Sequence, residues 1–201
     1  QDEAYNVVIY KEAPAGYEDA PITILQGHCD MVAEKTPDSN HDFTKDGLKL
    51  KVEGDYLTAE GTTLGGDDGI AVAYMLAVLD DDTLKHPALE CVITTDEEIG
   101  LLGAKALDTS VLKGTHMINM DSEEEGYLWI SCAGGLSGTS RIPVEYQEME
   151  GVVTEVLIDG LNGGHSGAEI DKNRANANKL MGLFLYELGQ KTAYSIKELS
   201  G

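Results

Sequence analysis

Ile22-Thr23-Ile24-Leu25-Gln26-Gly27-His28-Cys29-Asp30-Met31-Val32, residues 22–32, decides the fold. Its first half is short, apolar and rich in β-formers, without helical spacing, and predicts a buried strand. Residues two apart on a strand share a face. His28 and Asp30 therefore project together, with Cys29 turned away. A neutral imidazole is a metal ligand, and a carboxylate beside it fixes its tautomer and raises its basicity. Such a pair alone reads as an ordinary buried contact, so its meaning depends on what the rest of the chain brings beside it.

Working outward, Leu89 to Thr95 (LECVITT) is another buried-type strand and runs straight into Asp96-Glu97-Glu98-Ile99-Gly100. A short helix to Leu107 is expected after it. His116 to Met120 (HMINM) reads as a third buried-type strand, ending at Asp121. The acids Glu123 to Glu125 look like a solvated turn. Asn6 to Tyr10 is a further strand, and Leu48 to Val52 with Tyr56 to Ala59 form a hairpin about Glu53-Gly54-Asp55. The glycine-rich turn Gly61 to Gly69 (GTTLGGDDG) opens Ile70 to Leu79 (IAVAYMLAVL), which is apolar all round and predicts a buried helix. Asp67 then lies at a helix N-terminus, where the plain reading is a cap. Two preceding glycines suggest an unusual backbone and a close approach.

Strands alternating with helices imply an α/β unit with a mostly parallel sheet. In such sheets, sites form beyond the carboxyl ends of the strands. The pattern thus converges His28, Asp30, Asp67, Glu97, Glu98 and Asp121 on one edge. From about Gly151 the style changes. Val152 to Ile158 reads as a strand, Gly160 to Gly167 as a glycine-rich turn holding His165, and Arg174 to Leu188 as an amphipathic helix. Ala193 to Lys197 begins another strand. The expected division is 1–150 for the first domain and 151–201 for a smaller second one.

The 201 residues carry 36 Asp and Glu against 14 Lys and Arg, a net charge of −22. That disfavours nucleic acid and anionic membrane as partners, since both call for basic patches. Three cysteines, with no CxxC, predict reduced thiols, buried at Cys29 and Cys91, rather than disulfides or zinc ligands. No run approaches the length of a membrane span, and no signal peptide is visible. The chain opens at Gln1 and stops just after a strand-like run, so a fragment is expected. The turn at Gly65 to Gly69 lacks the Gly-Lys-Ser/Thr ending of a phosphate loop.

Several carboxylates forced together cannot all ionise cheaply, because like charges raise each other's pKa. No lysine or arginine lies within these motifs. A divalent cation relieves the repulsion. Histidine with carboxylates suits zinc, and an all-oxygen set suits calcium or magnesium.

Five motifs in order, GHCDMV, TLGGDDGIAVAYMLAVL, TDEEIG, NMDSEEEG and GLNGGHSGAEI, resemble those of the aminoacyl-histidine dipeptidases, bacterial Xaa-His dipeptidases within the larger family of di-zinc aminopeptidases, carboxypeptidases and aminoacylases. The resemblance covers about Ile22 to Leu188. It implies an incomplete zinc-peptidase catalytic domain over 1–150, then the start of an α+β lid and dimerisation domain over 151–201. It implies two zinc ions, with manganese or cobalt as substitutes. His28, Asp67 and Asp121 would hold the first, and Asp67 would bridge to the second, which Glu98 also binds. Asp30 would orient His28. Glu97 would be the general base toward the attacking water, and His165 would help hold substrate or the oxyanion. A cytoplasmic homodimer acting on small peptides is implied. The family's second zinc takes one more histidine from near the C-terminus, which has no counterpart here, so this chain is expected to bind one metal or none and to be inactive alone. Two other readings stand beside this one: an aminoacylase or deacetylase of N-acyl amino acids, and a non-catalytic truncated product.

Overall fold

The computed structural model describes the chain apart from residues 123, 133, 137 and 165–168. The chain divides into two compact units, Gln1–Ala133 and Gly134–Gly201.

The first unit is built on a four-stranded sheet. Its strands are β1 (Val7–Lys11), β2 (Thr23–His28), β5 (Leu89–Thr94) and β6 (His116–Asn119), in the spatial order β1-β5-β2-β6. β5, β2 and β6 run parallel, and β1 is an antiparallel edge. The expected mixed, mostly parallel α/β sheet is therefore present. A separate hairpin pairs β3 (Leu50–Glu53) with β4 (Tyr56–Ala59), as the alternation about Gly54 implied. Helix α1 (Gly66–Asp80) and the short α2 (Leu102–Ala106) fill the connections.

β5 lies between β1 and β2, and all six of its residues are buried. α1 presses Ala71 and Met75, one turn apart, onto Cys91 and Ile93, and Val7, Ile9, Leu25, Val72, Leu79 and Met120 close around them. Burial of this kind contributes about 25 cal/mol per Å² of apolar surface. The C-terminal end of α1 is held from the sheet. The Lys11 ammonium donates to the carbonyls of Val78, Leu79 and Asp81, each at 3.0 Å, where the last helical carbonyls lack partners.

Three expectations are corrected here. α1 is not buried all round: Ile70, Tyr74 and Leu76 are each more than half exposed. The helix lies on one sheet face, and Ala71 and Met75, with Val72 and Leu79 beside them, are the residues that pack there. β6 is likewise exposed along its length, because β2 is its only strand neighbour among the described residues. Cys29 is exposed, since β2 ends at His28 and the following residue leaves the core; Cys91 is buried, and all three cysteines are free.

In the second unit, α3 (Ala177–Gly189) starts where the Asn176 side chain accepts the Lys179 N–H at 2.9 Å. Ala177, Met181, Leu185 and Leu188 form its half-buried stripe, at the spacing of an amphipathic helix. Arg174 pairs with Glu169 through two hydrogen bonds of 2.9 Å. The strands expected at Val152 to Ile158 and Ala193 to Lys197 are not formed among the described residues. An extended run becomes a strand only where another accepts its backbone hydrogen bonds, and no described segment does so.

Candidate metal centre

The register of the sheet assembles the site. His28 lies beside Thr94 at the ends of β2 and β5, and Gln26 lies beside Asn119 of β6. The Met120 N–H continues this pairing to the Gln26 carbonyl at 3.0 Å. Two residues further along each strand, Asp121 therefore comes level with His28. After β5, Asp96 adopts φ 53°, a left-handed turn that aspartate tolerates, and the chain then reaches Glu97 and Glu98. Gly65, with φ 70°, caps the start of α1 without a side-chain hydrogen bond and leads into Asp67. A side chain there would be strained, and its Cβ would lie 2.9 Å from the Met31 sulfur.

Around the buried His28 ring the distances are short. Nε2 lies 3.0 Å from Asp67 Oδ1 and 4.0 Å from Glu97 Oε2. Nδ1 lies 3.0 Å from the Asp30 carbonyl oxygen and 3.4 Å from its Oδ1. Asp30 turns its other oxygen to accept the Glu98 N–H at 3.1 Å. One nitrogen or oxygen from each of His28, Glu97 and Glu98 falls within 4.8 Å of the others, and the same holds for His28, Asp67 and Asp121. His28 belongs to both groups.

Both ring nitrogens thus face oxygen acceptors, although a neutral imidazole has one proton to donate. Burial works against the imidazolium, but the Asp67 hydrogen bond and the charges of Asp121, Asp30 and Asp67 outweigh it, so the His28 pKa stands above the ordinary histidine value. Burial also raises the Glu97 pKa; Asp121, Glu98 and Asp30 add to this and His28 opposes it. A cation at Nε2 would answer the facing carboxylates without a proton there, and the donor set of one imidazole with several carboxylates fits zinc or a similar divalent ion. The buried Asp30 Oδ1 makes no hydrogen bond, and the His28 ring lies beside it at 3.4 Å.

The structure therefore gathers His28, Asp30, Asp67, Glu97, Glu98 and Asp121 at one edge. His165 lies outside the described residues. One neighbour was not singled out from the sequence. Asp68 is 1% exposed, and its Oδ2 accepts the His28 backbone N–H at 3.3 Å. Gly27 carried the available signal, since a glycine within a strand marks a close approach by another segment.

Fold and site together define an α/β chain with a candidate metal centre at the carboxyl edge of its sheet. The comparisons with known proteins are more particular. The chain is 43% identical over 187 residues to the cytosol non-specific dipeptidase of Escherichia coli K12, covering 92% of this chain and 39% of that protein. The crystal structure of aminoacylhistidine dipeptidase from Vibrio alginolyticus superposes with a TM-score of 0.66 at 39% identity, over 95% of this chain and 39% of that one. An uncharacterized Bacillus subtilis protein, YqjE, is 41% identical over 81 residues, which cover 38% of this chain and 22% of that protein. No protein-family model matches. The resemblance read from the five motifs thus holds, in sequence and backbone, over nearly the whole chain, which spans about two fifths of the length of the two dipeptidases.

Proposed function

We propose that the chain is part of a metal-dependent dipeptidase, acting on dipeptides of which the Xaa-His type is one. The observation that carries this is His28 Nε2, within 4.0 Å of carboxylates from two other segments. The similarity to two named dipeptidases supports the substrate class. The site residues take the roles that the resemblance implies. His28, Asp67 and Asp121 would hold one zinc, and Asp67 and Glu98 would contribute to a second. Manganese or cobalt serve as substitutes.

A bound divalent ion supplies a Lewis acid and lowers the pKa of water toward neutrality. Asp30 receives the Nδ1–H of His28 at its carbonyl and so leaves the Nε2 lone pair facing the site. Glu97 accepts a proton from the attacking water and returns it to the departing amine. Burial moves its pKa upward, toward the operating pH at which an acid–base group works best. His165 in the second domain, 151–201, steadies the substrate or the oxyanion, and that domain joins two copies into a homodimer. A cytoplasmic setting accords with the name of the Escherichia coli relative. No described helix is long and apolar enough to cross a membrane.

Dipeptide hydrolysis by the whole zinc-loaded protein tests the reading. Glu97→Gln should lower kcat by about 10²–10⁴-fold while zinc content is unchanged. Full activity in Glu97→Gln, or hydrolysis of acetyl-amino acids but not of dipeptides, would overturn it.

A further inference from the structure

Asp68 is buried beneath the cluster, yet it is absent from both groups of candidate ligand atoms. Its carboxylate reaches the main chain of β2. Oδ2 accepts the N–H of His28 at 3.3 Å, immediately beyond Gly27. Gly27 leaves the space this contact occupies. A Cβ there would lie 2.5 Å from Asp68 Oδ2 and 2.5 Å from Ala71 Cβ. The start of α1 therefore rests on bare strand backbone, at the residue before His28. Asp67 precedes Asp68, so one short link ties the backbone of His28 to that of Asp67.

Resting on the metal-centre reading above, we propose that Asp68 is a positioning residue. With Gly27 it fixes the separation of His28 and Asp67, so that the Nε2 and Oδ1 atoms stand ready for one divalent ion. A buried carboxylate without a positive partner is costly unless hydrogen bonds satisfy it. Here its acceptor oxygen meets the backbone N–H of His28. Outer-shell groups that orient ligands are typically worth about tenfold to a hundredfold in metal affinity.

Cobalt(II) titration of the purified chain, read in the visible absorption bands, tests this beside thermal melts without metal. Asp68→Ala should bind cobalt about tenfold to a hundredfold more weakly, with altered bands, beyond what its melt explains. Asp68→Asn keeps an acceptor oxygen and should restore both affinity and bands. Gly27→Ala pushes the helix start away and should weaken binding even where Asp68→Ala fails to fold. Wild-type affinity and bands in Asp68→Ala or Gly27→Ala would overturn the role of Asp68, as would an Asp68→Asn that falls as far as Asp68→Ala. A wild-type chain that takes no cobalt would instead overturn the metal-centre reading, and this role with it.

Discussion

The Oδ2 atom of Asp30 accepts the backbone N–H of Glu98 at 3.1 Å. One residue thus touches two candidate ligands, because its carbonyl also lies 3.0 Å from His28 Nδ1. The ends of β2 and β5 are tied through it. Asp30→Ala keeps the carbonyl but frees the Glu98 loop, and zinc affinity should fall by about tenfold to a hundredfold. Asp30→Asn retains an acceptor and should lose less. Competition with a chromophoric chelator measures both, and equal affinity in Asp30→Ala and wild type would contradict the tie.

The Lys11 ammonium satisfies three carbonyls at the end of α1, and its side chain is 15% exposed. Lys11→Met preserves the apolar stem and removes the donors. Charge-assisted bonds of this kind contribute about 1.5–3 kcal/mol in net terms. Urea unfolding should show a loss of that order, with the slope unchanged. The ion pair of Lys11 with the fully exposed Asp82 adds little, so Asp82→Asn should leave the midpoint where it is.

Asp42 binds Lys45 Nζ at 2.6 Å and Thr44 through two hydrogen bonds, and its pKa is lowered to about 2. The folded value lies below the unfolded one. The turn's stabilisation by this group is therefore complete above the ordinary carboxylate value and is lost as the pH falls toward 2. An NMR titration of the Asp42 carboxyl carbon should give a midpoint well below that of an unpaired aspartate. Lys45→Ala should move it upward.

Much of the candidate site's edge was legible in the sequence. The runs at 22–25 and 89–95 are short, apolar and rich in β-formers, and each passes directly into its charged residues, so strand and site were read together. Asp67 was placed by two glycines and the helix that follows. Asp68 was not, because helical spacing says nothing about which of two adjacent acids turns inward where the first turn is irregular; both have non-helical backbone angles. The exposure of α1 and β6 was hidden for a different reason. Apolar composition says that a surface can be covered, but not that a partner lies upon it. Val152 to Ile158 shows the same limit in the second unit, since a strand-like run cannot supply its own neighbouring strand.

The central claim is that His28 organises a divalent metal site. Zinc binding by the chain, with and without His28→Ala, tests it most directly. We expect about one zinc per wild-type chain, held against a competing chelator, and none in His28→Ala at the same concentrations. Equal zinc uptake by the two would contradict the account.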